Sequence, residues 1–166
     1  MAEYSTVFGS LDNFRKGGVD IIDDDPKNYA FSNIFDVAAR SRPYERVAVG
    51  KNFEYVIEAL RAEGTSPWFG AAHDEFALCM DGEVELHLVK LADAARLAAG
   101  TQGANRLPGD PDGRKMGRIR LRRGHMALLP TGAAYRFQAD RPGVLLIQTM
   151  KGAVTVERWT EICQTH

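Results

Sequence analysis

The sequence predicts an all-β domain, one barrel or sandwich preceded by an N-terminal arm. Three observations predict it. Beyond about residue 46, short apolar runs are separated by turn residues at the close intervals of a small β-barrel. Asp81-Gly82 divides two β-compatible runs, "EFALCM" and "EVELHLVKL". No internal repeat of helical-array length interrupts the pattern. A chain of 166 residues, 45% hydrophobic and 26% charged, is long enough to bury one full core. The expected organisation is an arm over residues 1–45 and a barrel over 46–166, with a loop insertion at about 91–114.

The arm shows turn chemistry rather than strong periodicity: "RKGG", the acidic "DDDP" and "SRP". Within it Ser32 is placed to cap a short helix through Asn33–Ala39, which Pro43 prevents from extending. The apolar residues of that helix, Ile34, Phe35 and Val37, are expected to be buried against another chain. "KNFEYVIEALRAEG" reads as a strand because Phe53, Tyr55, Ile57 and Ala59 alternate with Glu54, Val56, Glu58 and Leu60. Asp81-Gly82 then predicts a tight hairpin, since this dipeptide tolerates the positive φ of such turns. In its second strand Val84, Leu86 and Leu88 share one face, and Glu83, Glu85 and His87 the other. The stretch 91–114 holds a short helix and a Gly, Pro and Asp-rich loop, suited to an interface. "GRIRLRRG", "HMALLP", "AYRFQA", "GVLLIQTM" and "AVTVERW" supply the remaining strands.

Charge removes two classes of partner. Twenty-one Lys and Arg against 22 Asp and Glu leave a formal charge of −1, so there is no basic field for nucleic acid or an anionic membrane. No apolar run is long enough to span a bilayer, and "MAEYSTVFGS" lacks the pattern of a secretory signal, so a cytoplasmic protein is expected. Cys79 and Cys163 stand far apart without metal-knuckle spacing, and Cys79, within an apolar run, reads as core.

Two stretches carry the frame of a metal site. In "GHMALLPTGAAY", Gly124, Pro130 and Gly132 keep the turn spacing of the second cupin motif, and Glu75 with Gly82 keeps the latter half of the first. On these residues the chain resembles the cupin superfamily, which implies a single cupin-like β-barrel, a jelly roll. The likeness stops at the ligands. The histidine pair of the first motif falls on Trp68 and Gly70, or on Phe69 and Ala71; the last histidine falls on Tyr135, and the asparagine on Ala139. Only Glu75 survives. An Fe(II) oxygenase site needs two imidazoles and a carboxylate, so no metal is expected in this chain and no catalytic residue either. His73 and Glu75, which an extended strand would point to one face, are the weak candidates for a rebuilt site, with Tyr135, His87 or His125 as the third ligand. Trp68, Phe69 and Tyr135 are candidates to line an aromatic substrate pocket; barrel core is the plainer reading of the first two.

The runs "VFGSLDNFRKG" and "YAFSNIFDVAARSRPYERVAVGKNFEYVIEALRAEGTSPWFGAAHDEFALCMDGEVELHLVKL" resemble the small subunits of two-component hydroquinone 1,2-dioxygenases, some of which are labelled hydroxyquinol dioxygenases. The resemblance implies a large catalytic cupin subunit that holds Fe(II), an α2β2 heterotetramer, and a small subunit inactive when isolated. It implies oxygen-dependent cleavage of hydroquinone to 4-hydroxymuconic semialdehyde. Two other functions stay open on the residues alone: an independent metallo-cupin dioxygenase acting on a phenol such as hydroxyquinol, and a metal-free small-molecule-binding cupin.

Overall fold

One strand organises the fold. In the computed structural model, which describes residues 8–25, 32–97 and 102–162, the strand β9 (Ala133–Met150) runs through the middle of the molecule. The other strands are β1 (Arg46–Asn52), β2 (Tyr55–Thr65), β3 (Phe69–Ala71), β4 (Glu75–Asp81), β5 (Glu83–Leu91), β6 (Ala104–Arg106), β7 (Gly113–Arg122), β8 (Met126–Leu129) and β10 (Thr155–Val156). Two short helices, α1 (Ile34–Arg40) and α2 (Trp159–Ile162), and a short 3-10 helix at Ala94–Leu97, within the 91–114 stretch, complete the elements among the described residues.

Along one side of β9 run β2 and then β3; along the other run β4 and then β5, all antiparallel to it. The C-terminal half of β9, pairing through Leu145 and Ile147, belongs to a layer ordered β10-β1-β2-β9-β4-β8. The N-terminal half, pairing through Tyr135 and Phe137, belongs to a second layer ordered β6-β3-β9-β5-β7. The chain bends between the layers, and the core fills the space between: Leu60, Ala77, Cys79, Leu145 and Ile147 from the first layer meet Leu86, Leu121, Tyr135 and Phe137 from the second. This is the expected all-β, cupin-like jelly roll.

The hairpin expected at Asp81-Gly82 is not one. β4 and β5 do not pair with each other; they continue past one another along β9, and Gly82 with φ +77° is the corner between layers. A Cβ on Gly82 would stand 3.0 Å from the Cα of Gly143, the matching corner of β9. Positive φ and the need for a side-chain-free contact are shared by tight turns and by such corners, so Asp-Gly reads the same in either. The tight turn lies instead at Phe53-Glu54, joining β1 to β2 with Asn52 opposite Tyr55 and Phe53 at φ 55°.

Helix α1 is where the sequence places it, but Asn33 rather than Ser32 is the cap: its side chain accepts hydrogen bonds from the amides of Phe35 and Asp36. The helix packs on this chain's own barrel. Val37 is 2% exposed and joins Val47, Ala59 and Ile162 in a second core on the outside of the first layer, with Ile34, Leu146 and Trp159 against it. Phe35 packs on the arm itself, its ring centroid 6.2 Å from that of Phe14 and its edge against Gly9. The arm is tied down further where the Leu11 amide donates to Asp81 Oδ2 at 2.7 Å. Part of the 91–114 stretch also folds back on the barrel, with Leu97 buried and in contact distance of Gly70. Cys79 is buried in the core, and burial pushes its thiol up to about 11; Cys163 lies outside the described residues.

Candidate functional site

Between the two layers, where the retained motif positions converge, lies a buried polar cluster. The interior face of β2 carries Val56, Glu58, Leu60 and Ala62, so one acid stands in an otherwise apolar row. β1 brings in Arg46 and β4 begins with Glu75. Tyr135 reaches the same point from the second layer. All four side chains are at most 2% exposed.

Arg46 ties them together. Its Nε donates to Glu58 Oε2 at 2.5 Å, one terminal nitrogen to Glu75 Oε1 at 3.0 Å, and the other to the Tyr135 hydroxyl at 2.8 Å. Tyr135 in turn donates its proton to Glu75 Oε2 at 2.5 Å, and Thr155 Oγ1 donates to Glu58 Oε1 at 2.6 Å. The planar guanidinium fork engages two carboxylates and a phenol at once, which a point-charge ammonium would not reproduce. Phe69 closes the site, with the Arg46 guanidinium 5.4 Å from its centroid and the Tyr135 ring 6.0 Å away.

The electrostatics agree. Burial alone would favour a neutral Arg46, but Tyr135, Glu58 and Glu75 hold it well above its ordinary range, so it stays charged. Burial raises the Tyr135 phenol well above its usual value, and Glu75 adds to this against the opposing pull of Arg46. Tyr135 is therefore a proton donor here, not a phenolate.

These residues do not fit a divalent metal. Glu75 and Tyr135, two of the positions that hold metal in the motif, are bridged by a guanidinium whose charge takes the place a cation would fill. An iron ion would have to displace Arg46 and would then find two carboxylates and a phenol, with no imidazole. His73 is not beside Glu75. It lies in the turn before β4, where its Nε2 accepts from the Met150 amide at 3.3 Å and is 3.1 Å from Thr149 Oγ1. His87 Nε2 meets Glu85 Oε1 at 3.0 Å on the outer face, and His125 Nδ1 accepts from the Arg122 amide at 3.1 Å. Among the described residues no group of three or more His, Cys, Asp or Glu side chains is arranged to hold a metal ion.

Of the three aromatic candidates, Phe69 and Tyr135 come together in the barrel interior and Trp68 does not join them. One residue before Phe69 in an extended segment, it faces outward, its indole N–H donating to Asp110 Oδ1 at 2.9 Å and its ring 4.7 Å from the Arg136 guanidinium. Sequence reasoning missed Arg46 and Glu58. Their signal was there: a charged residue flanked two positions away by interior apolar residues of a strand, as Glu58 is by Val56 and Leu60.

No family profile and no curated protein matches the chain. Solved structures do. A chain in the structure of hydroquinone 1,2-dioxygenase from Sphingomonas sp. TTNP3 with 4-hydroxybenzoate bound is 62% identical to this one, over 99% of both chains, with a TM-score of 0.95. This chain belongs to the hydroquinone 1,2-dioxygenase family. A second member, hydroquinone 1,2-dioxygenase PnpCD in complex with Cd2+ and 4-hydroxybenzonitrile, contains a chain 55% identical over 99% of both, TM-score 0.92. The PnpCD structure in complex with Fe3+ also contains a longer chain, of which this one covers 37%, at 15% identity and a TM-score of 0.61, a likeness of fold alone. Hydroquinone dioxygenase PnpCD thus has two kinds of subunit, and this chain corresponds to the shorter. Hydroquinone dioxygenases are ring-cleaving enzymes, and the metals named in these structures are Cd2+ and Fe3+.

Proposed function

We propose that this chain is the non-catalytic small subunit of an Fe(II)-dependent hydroquinone 1,2-dioxygenase, working in the cytoplasm beside a large cupin subunit in an α2β2 heterotetramer. The large subunit holds the iron, and the assembly cleaves hydroquinone with O2 to 4-hydroxymuconic semialdehyde. The observation that carries the reading is the Arg46 cluster. The position at which a cupin would bind metal is filled by a side chain already satisfied by Glu58, Glu75 and Tyr135, with no imidazole among its partners. A further observation supports a permanent partner. On the outside of the first layer Ile57, Gln148, Phe76 and Leu128 stand side by side across β2, β9, β4 and β8, and the three apolar ones are 41–45% exposed. Uncharged and beyond the reach of α1, this row suits burial against the larger subunit. His73, Glu75 and Tyr135 then serve the small subunit's architecture, and no proton or electron of the reaction passes through them.

The test is reconstitution. The purified chain should hold less than a tenth of an equivalent of iron and show no oxygen uptake with hydroquinone, whereas co-expression with the longer subunit should yield a complex with one iron per subunit pair and full turnover. Iron bound stoichiometrically by the isolated chain, with activity, would instead make it an independent dioxygenase.

A further inference from the structure

The outer face of the second layer carries a row that neither the core nor the Arg46 cluster uses. Cross-strand register aligns Arg118 of β7, His87 of β5 and Arg136 of β9, and Trp68 follows in the extended segment leading into β3. Lys115 stands on the same face. Together they line a groove of about 480 Å³, within the size range of small-molecule sites.

The charges in this groove are not balanced. Glu85 contacts His87 Nε2 at 3.0 Å and Arg118 at 3.3 Å, and is 3.9 Å from Arg120. Asp110 is engaged by the Trp68 indole. Arg136 and Lys115 have no ion-pair partner among the described residues, and the Arg136 Nε is buried without any hydrogen-bond acceptor. Three Lys and Arg side chains, Lys115, Arg118 and Arg136, against the carboxylates of Glu85 and, at the Trp68 edge, Asp110 leave an excess of one positive charge. Arg136 is moreover held over the Trp68 ring, 4.7 Å from its centroid, a cation–π contact that restricts where its fork lies.

The geometry points to a small dianion, a dicarboxylate or a phosphate, as the ligand of this groove, held between the guanidinium groups of Arg118 and Arg136 on either side of His87. Arg136 and Arg118 supply the paired N–H donors, Lys115 the remaining charge, and Trp68 the wall that fixes Arg136.

Titration calorimetry of the full-length chain in chloride buffer of low ionic strength, with succinate and with inorganic phosphate in separate experiments, tests this. Saturable one-site binding of either, with Kd below about 1 mM, is expected, and which anion binds identifies the source. Arg136→Met and Arg118→Gln should each weaken it roughly tenfold or more, in keeping with the loss of a charge-assisted contact. Arg123→Gln, whose guanidinium pairs with Asp81 away from the groove, should not. Arg118 is on the surface, so its variant remains informative even where Arg136→Met unfolds. Absence of saturation with both anions, or equal binding by Arg118→Gln and the unaltered chain, overturns the proposal. So does an outcome in which neither anion binds but Arg118→Gln loosens assembly with the longer subunit, for the groove is then a protein contact.

Discussion

Replacing Arg46 by Met removes the cation that, among the described residues, pairs with both buried carboxylates of this centre. Glu58 loses its 2.5 Å partner and Glu75 its 3.0 Å partner, both at 0% exposure. Breaking a buried ion pair from one side costs about 3–5 kcal/mol, because the remaining charge is left uncompensated in a medium of low dielectric. For a domain whose whole stability is roughly 5–15 kcal/mol, that is a large share. At roughly 2–4 °C per kcal/mol for a chain of this size, the midpoint of thermal unfolding should fall by about 6–20 °C. The assay is urea and thermal unfolding of the purified chain at pH 7.5. Adding Glu58→Gln to Arg46→Met should recover part of the loss in a double-mutant cycle. If Arg46→Met unfolds within about 1 kcal/mol of the native chain, or Glu58→Gln recovers nothing in the Arg46→Met background, the charge-centred account of this core is wrong.

Three more outcomes are expected. Tyr135 and Tyr44 are both held protonated above the usual phenol range, Tyr44 by burial and then by Glu63, so their contribution to stability is fully present below about pH 10 and is lost as pH rises beyond it; phenolate absorbance absent from Tyr135→Phe and Tyr44→Phe chains should rise in the unaltered chain only as it unfolds. Burial raises the Asp81 carboxyl, but the Leu11 amide and Arg123 bring it below its usual range, so Asp81→Ala should free the arm. Limited proteolysis near residues 8–15 should then accelerate, with a stability loss of about 1 kcal/mol and an unchanged β-sheet spectrum. Val37→Asp should lower the chain's own unfolding free energy by about 3 kcal/mol or more, as a charge buried without a partner does; loss of assembly with unchanged stability would return the helix to an interface.

The architecture was legible because it rests on local signals. Alternation in Tyr55–Thr65, turn glycines at 124 and 132, and the capped helix before Pro43 all depend on residues close in sequence. The failures have a common physical cause. Whether Asp81-Gly82 closes a hairpin or turns a corner is decided by Gly143, more than 60 residues away, and nothing near Gly82 records it. The candidate site shows the same limit more sharply. The three partners of Arg46 lie 12, 29 and 89 residues along the chain, so the sequence offers a charged residue at the head of an apolar strand and no statement of what neutralises it. The motif frame was readable, with Glu75 and Tyr135 at two of its positions, because backbone turns keep their spacing when side chains change. That an arginine fills the gap between them was not, since Arg46 lies outside both motifs.

The central place of β9 bears on how the molecule is made. During synthesis the segments of β2, β3, β4 and β5 leave the ribosome well before residues 133–150, yet each of them pairs with β9. Until that strand arrives, two long ribbons have a bare edge apiece and neither layer can close over the core. Contacts so distant in sequence make for slow folding, and unpaired edges invite association with other chains. A truncation before residue 133 should therefore give aggregate rather than a smaller domain, and the chain acquires its fold only when most of it has already been translated.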